Sequence, residues 1–243
     1  MYTNTDNRDG LRAVAKIFQN NPDPDRPDLE ILEMLQSGLE RNDFEFNGKW
    51  YLQISGTAMG KKFAPSYANI FMADFEKEAL AKCTKQPLVY VRFLDDILII
   101  WTHSRSDFDD FFETLNNHHP CIKLNATISN DSIDFLDTTV FKGPNFDKTG
   151  KLDIKVFFKP TDSHQLLHKK SFHPKHSFKG IIKSQIIRFH RICTRESDFN
   201  NAVNILFRAL RNRNYSYRFL RKIKGETLKE INPKKRLHSE SLL

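Results

Sequence analysis

The chain has 243 residues, 39% of them hydrophobic and 28% charged, which suits one sizeable core, or one domain with a smaller one appended, and argues against wholesale disorder. No run approaches the roughly 18 apolar residues of a membrane span, and the first residues lack the charged-then-apolar pattern of a secretory signal. Three widely spaced cysteines, Cys83, Cys121 and Cys193, point away from a disulfide framework and toward core-filling thiols in a reducing compartment.

The net charge of +8 is unevenly placed: residues 151–243 carry 22 Lys and Arg against 7 Asp and Glu, while residues 1–150 carry 16 against 23. A basic C-terminal third on an acidic body fits a partner with repeated negative charge, such as a nucleic-acid backbone, and fits a solvated basic tail equally well.

In chain order, helical stretches are expected over 10–19 and 27–41, separated by the Pro/Asp-rich connection 20–28. The second places Leu29, Leu32, Leu35 and Leu39 on one face, with Pro27 suited to its start. Two short aromatic-rich runs then flank Asn47-Gly48, a dipeptide that favours the positive backbone angles of a tight turn and so predicts a hairpin. A helix is expected over 62–83, with Ala64, Ala68, Phe71, Phe75 and Ala79 facing inward. Runs 88–93 and 97–101 read as strands about Asp95-Asp96. A helix over 106–117 follows, then strand candidates at 121–128, 133–141 and 151–158, and a helical, basic stretch from about Lys179. This order predicts an α+β fold, a mostly antiparallel sheet with flanking helices followed by a mostly helical part.

Adjacent carboxylates between apolar strands repel each other and lose hydration unless a cation or donors sit beside them. A divalent pair such as Mg²⁺ or Mn²⁺ is one answer, and two metals of this kind support phosphoryl transfer. A plain turn solubilised by two aspartates is the other. The histidines His164, His168, His173 and His176, with Cys193 beyond, are spaced too loosely to favour zinc.

The segments QISGTAMGKKFAPSYANIFM (53–72), RFLDDILII (92–100), IDFLDTTVFKG (133–143) and KPTDSHQLLHKKSFHPKH (159–176) stand in that order. In content and spacing they resemble the reverse transcriptases of Penelope-like elements, relatives of telomerase reverse transcriptases. The resemblance runs from about Met1 to about Tyr215. It implies a partial polymerase palm over 1–158, a primer-grip region and helical thumb over 159–232, and a polar tail over 233–243. It makes Asp95 and Asp96 the catalytic, metal-binding carboxylates. Gln53, Gly56, Gly60 and Phe93 become nucleotide and template contacts, the glycines because a residue without Cβ lets a ligand approach the backbone. Lys159, His173, Lys175, Arg188 and Arg191, with Lys169 and Lys170, would face a primer backbone. Lys123 could act as a general acid or be an ordinary surface lysine. Phe135 and Leu136 would pack, and Asp137 would fix a turn.

The expected partners are an RNA template and a DNA primer. Met1-Tyr2-Thr3-Asn4 stands where relatives follow the strand carrying the first metal-binding aspartate, so that aspartate and the fingers would lie upstream and the chain would be N-terminally truncated and inactive alone. The competing expectations are a non-catalytic nucleic-acid-binding protein that uses the basic C-terminal helices, and a decayed copy with no role. A nuclear site fits a chromosomal substrate, with only the short PKKRL (233–237) as a signal.

Overall fold

The computed structural model describes residues 2–238, with side chains described as far as Ile231. The chain divides into two compact units, the first ending at Thr127 and the second beginning at Ile128.

The first unit is built on one long helix. After a short 3-10 turn at Tyr2–Asn4, α1 (Asn7–Asn20) starts at Asp6, whose carboxylate accepts the amides of Arg8 and Asp9 at 2.9 and 3.0 Å. Helix α2 (Asp28–Glu40) packs beside α1. The central helix is α3 (Ala64–Leu80), and its expected inward residues Ala64, Ala68, Phe71, Phe75 and Ala79 are all buried. Tyr67 of α3 closes one cluster with Val14 and Leu39. Phe71, Met72, Phe75 and Ala79 close a second with Phe111 and Leu115 of α4 (Arg105–His118) and with Ile122. Leu29 departs from the expected apolar stripe of α2: it lies in the first turn and is 74% exposed, while Leu39 at the other end is buried.

Two hairpins complete this unit. β1 (Asp43–Phe46) and β2 (Lys49–Leu52) are joined by Asn47 and Gly48, whose φ values of 51° and 72° are the positive pair that a two-residue turn of this twist requires. β3 (Val89–Phe93) and β4 (Asp96–Ile100) are joined through Leu94 and Asp95. Helix α3 holds the second hairpin by charge as well as by the packing of Tyr90 and Ile99 on its core cluster. Arg92 Nε lies 2.6 Å from Glu76 Oε1 with both side chains largely shielded from solvent, the Tyr90 hydroxyl donates to the same carboxylate oxygen at 3.0 Å, and Arg92 also donates to Asn69 Oδ1 and Leu94 O. No ladder forms over the expected strand 121–128. The Asn116 side chain engages both backbone groups of Leu124, Leu124 N–H donating to Oδ1 at 2.7 Å and Nδ2 donating to Leu124 O at 3.2 Å, so the segment is pinned to α4 rather than to another strand.

The second unit begins with an antiparallel sheet in the order β5 (Ser132–Phe135), β6 (Thr138–Phe141), β7 (Asp153–Val156), with a single helical turn α5 (Phe146–Thr149) before β7. The run 133–141 is therefore a hairpin and not one strand, because Leu136 takes a φ of 56°. Helices α6 (Lys175–Ile192), α7 (Glu196–Asn212) and α8 (Tyr217–His238) follow. Their apolar residues recur at three and four: Phe178, Ile182, Ile186 and Phe189 on α6, Phe199, Ala202, Val203, Leu206, Phe207 and Leu210 on α7, Leu220 and Ile223 on α8. Val156 of β7 enters the same core, and Thr194, in the α6–α7 connection, exchanges hydrogen bonds with the backbone of Ile154 at 2.9 and 3.0 Å. This sharing of one core moves the boundary expected at 158 back to 127/128. Helix α8 also continues past Pro233, where a polar tail was expected; the side chains of PKKRL and residues 239–243 lie outside the described residues.

Lys169 has a structural place. Its backbone N–H donates to Arg213 O at 3.0 Å, and its ammonium lies 4.2, 4.8 and 5.5 Å from the ring centres of Phe178, Phe219 and Tyr215. A cation over several ring faces is held by their quadrupoles. Lys169 thus pegs the segment before α6 to α6, to α8 and to the turn before α8, instead of facing a primer backbone. Lys169→Met, which keeps an apolar stem and removes the charge, is expected to cost about 1–2 kcal/mol in urea denaturation of the chain.

In the first unit His118 lies edge-on to Phe75, with Nδ1 3.0 Å from the Lys82 ammonium and Nε2 3.7 Å from a Glu78 carboxylate oxygen. Burial, and next the Lys82 charge, hold its pKa below the ordinary imidazole value. The unfolded chain therefore binds this proton more readily than the folded one. The stability the neutral ring contributes is complete above about pH 6.5 and is lost as pH falls below it. Denaturation midpoints at about pH 7.5 and about pH 5.5 are expected to fall further for the wild type than for His118→Gln.

Candidate nucleic-acid interface

The second unit concentrates cations to an unusual degree. Residues 165–224 contain 15 Lys and Arg against 2 acidic residues, Glu196 and Asp198, and no acidic residue stands between Asp162 and Glu196. The fold divides these cations into paired and open ones. Lys179 pairs with Glu226 at 2.9 Å and Lys183 pairs with Glu230, which ties α6 to α8 along one side. Arg188 pairs with Asp137, and Arg195 Nε lies 3.5 Å from Asp198 Oδ2.

Helix α8 shows the division most clearly. Leu220, Ile223 and Thr227 are buried. Glu226 and Glu230 meet α6, and Lys224 Nζ donates to Asn200 Oδ1 of α7 at 3.0 Å. Arg218, Arg221, Lys222, Gly225 and Lys229 are exposed, at the spacing i, i+3, i+4, i+7, i+11. At about 100° per residue these five positions share about 100° of arc directly opposite the buried three. None of the four cations has an ion-pair partner among the described residues; Arg221 lies 5.7 Å over the ring of Tyr217, itself 51% exposed at the start of the helix.

The segment leading into α6 abuts the turn before α8. Besides the Lys169 contacts, His168 Nε2 lies 3.0 Å from the side-chain amide of Asn214, and Lys170 N–H donates to His168 Nδ1 at 3.2 Å. Ser171 donates to His168 O through both N–H (3.0 Å) and Oγ (2.6 Å), and His173 N–H donates to Ser171 O at 2.9 Å. Phe172 stands at the tip of this turn with its ring entirely in solvent. Helix α6 then starts at Lys175 and His176 with no side-chain cap and no acidic residue in its first turn. Anions are favoured and cations disfavoured at such an end.

The residues singled out from sequence fall as follows. Lys159, His173, Lys175 and Arg191 are exposed on the second unit. Lys159 lines a cavity of about 390 Å³ together with Asp137, Gln185 and Arg188. Arg188 is half-exposed and paired, Asp137 accepting from its guanidinium through both Nε and Nη2. The histidines serve local structure: His164 Nδ1 lies 3.0 Å from Asp162, His168 meets Asn214, and His173 Nδ1 lies 3.1 Å from Ser171 Oγ. In the first unit, Asp95 and Asp96 are exposed at the β3–β4 turn, with Phe93 exposed opposite Asp96. Among the described residues no group of three or more His, Cys, Asp and Glu side chains converges as a metal site. Gln53 closes the base of the first hairpin, accepting from Asn42 Nδ2 at 2.7 Å and donating to Ser55 O at 2.8 Å. Gly56 is buried at a φ of 72°, and a Cβ there would stand 2.5 Å from Tyr2 O, so the close approach it permits is that of the chain's own N-terminal segment. Gly60 (φ 100°) faces open space. Lys123 donates to Asn116 O at 2.8 Å, an ordinary helix-end contact.

Sequence reasoning passed over Arg221, Lys222, Lys229, Phe172 and Tyr217. The helical spacing of the α8 cations was available as a signal; the exposure of the two rings was not.

Residues 165–224, from the segment before α6 into the second turn of α8, match the family model described as Animal helix-turn-helix domain. No curated protein and no solved structure matches the chain. The match overturns the assignment to a Penelope-like reverse transcriptase: the stretch read as primer grip and thumb matches a helix-turn-helix model, and no reverse-transcriptase model is matched. The polymerase roles that depended on it fall with it, and the match lies wholly within the helical second unit.

Proposed function

We propose that the chain is a nucleic-acid-binding protein whose helical second unit binds duplex DNA. The observation that carries this reading is the α8 stripe of Arg218, Arg221, Lys222 and Lys229, exposed, without a direct ion pair among the described residues, and beginning inside the helix-turn-helix match. Cations so placed exchange condensed counterions for phosphates, which drives binding without reading sequence. The start of α6, uncapped and flanked by Lys175 and His176, adds a second phosphate contact of the kind helix N-termini make. Helix α7 exposes Ser197, Asn201, Asn204, Arg208 and Arg211, residue types that hydrogen-bond base edges. Duplex DNA is favoured over duplex RNA because the B-form major groove admits a helix and the A-form one does not. A chromosomal partner accords with a nuclear site, and no helix among the described residues is long and apolar enough to cross a membrane.

The test is fluorescence anisotropy of the whole chain with a labelled duplex of about 20 base pairs, titrated at several salt concentrations. Binding is expected to weaken linearly in log–log form, with a slope of about −0.9 for each phosphate contacted. The triple variant Arg218→Ala, Arg221→Ala, Lys222→Ala, confined to exposed positions, is expected to lose about 10- to 100-fold in affinity and to reduce that slope by about 2–3. Asp95→Asn with Asp96→Asn is expected to change neither. Undiminished binding by the triple variant would refute the assignment of α8.

A further inference from the structure

Phe172 is the most exposed large apolar side chain among the described residues, at 108% of its reference accessibility. It does not sit on a loose tip. The turn that carries it is closed by the two Ser171 bonds to His168 O and by His173 N–H to Ser171 O, and it is moored to the Arg213–Asn214 turn through His168 and the Lys169 backbone. A backbone tied in this way loses little conformational freedom when something packs on the ring it carries.

The surroundings of the ring identify what that is. Lys170, His173, Lys175 and His176 flank it in sequence and are exposed, with Arg213, Tyr217 and Arg218 carried on and just beyond the turn to which it is moored. No carboxylate stands within the 33 residues from Ser163 to Arg195. An aromatic face between cations matches a nucleobase and its phosphates, whose π-face stacks and whose charge is met on either side. A purely apolar partner would gain nothing from the cations, and a folded protein partner would need acidic residues disposed on both sides of one pocket.

We propose that Phe172 is a base-stacking residue: its ring packs on an unstacked base, and Lys170 and Lys175 hold the adjoining phosphates. The proposal rests on the nucleic-acid reading above. Two sources supply such a base, a single strand or a duplex step opened by the inserted ring.

The experiment compares wild type, Phe172→Ala, Phe172→Trp and the α8 triple variant, each as the whole chain, on a labelled single strand of about 12 nucleotides and on the duplex. Phe172→Ala is expected to weaken binding about tenfold with no change in salt slope, because a stacking contact and no ion is removed. Phe172→Trp is expected to restore affinity, with the new indole fluorescence quenched on binding. A loss on the single strand alone assigns the base to that source; a loss on the duplex, with end-to-end fluorescence transfer showing that the wild type bends it, assigns it to an opened step. Wild-type affinity of Phe172→Ala on both substrates, or an indole whose emission ignores nucleic acid, overturns the stacking role while the triple variant still reports on the binding reading. If the wild type binds neither substrate, both readings fall.

Discussion

A helical segment with 15 basic and 2 acidic residues repels itself, and everything else in the second unit follows from how that repulsion is contained. The first means is an apolar core continuous through three helices and a strand, from Val156 to Ile223. The second is selective pairing. The two α8 carboxylates are four residues apart and meet two α6 lysines also four apart, so a single run of contacts both neutralises charge and fixes α6 and α8 in the same direction. Exposed pairs of this kind contribute little each, but they decide which cations remain open. The third means is the aromatic cage of Lys169, which places a cation against three rings without any carboxylate. Among the cations left open are those on the outer face of α8 and at the start of α6, and these adjoin the same turn.

The first unit obeys a different constraint. Its core is carried by α3, which buries residues on two sides, and its first hairpin contributes nothing buried to it: every residue of β1 and β2 is exposed. The β3–β4 hairpin is held by the shielded Arg92–Glu76 pair and the Tyr90 hydroxyl together with apolar packing, Tyr90 and Ile99 lying against the core that contains Phe71, Phe75 and Phe111. A shielded pair of this kind is costly to break from one side only, since the remaining charge keeps its desolvation without its partner. The position of the Asp95–Asp96 turn is thus set by groups on α3 and not by the carboxylates themselves.

Much of the local structure was legible in the sequence because the governing interactions are short in range. Asn47-Gly48 specifies its own turn, and the spacing of Ala64, Ala68, Phe71, Phe75 and Ala79 specifies the buried face of α3. The apolar recurrence on α6 and α7 is of the same kind. The failures that decide the architecture are long-range. Whether 121–128 becomes a strand depends on Asn116 reaching Leu124 from α4, and whether the sheet 132–156 joins the first or second unit depends on Val156 and Thr194. Neither relation leaves a periodic mark. The open cations of α8 were visible as a period, but that they are open depends on where Asp137, Glu226 and Glu230 point, which only the fold decides.

The same distinction explains why four ordered motifs misled. Each contains residues whose chemistry fits a polymerase, and several of these already have a partner within their own unit. Gly56 admits the Tyr2–Thr3 backbone, Gln53 bridges Asn42 and Ser55, Asp137 holds Arg188, and His168 meets Asn214. A hydrogen-bonding group engaged in this way must leave its partner before it can bind a ligand, and the partner, if shielded, then keeps an unmet donor or acceptor. Residue type and spacing show what a side chain is able to contact, whereas only the fold shows which contacts it has already made. By that criterion the weight shifts to side chains that the fold leaves open: four cations on one face of α8 and the Phe172 ring, which lies within the fourth motif and stands in open water.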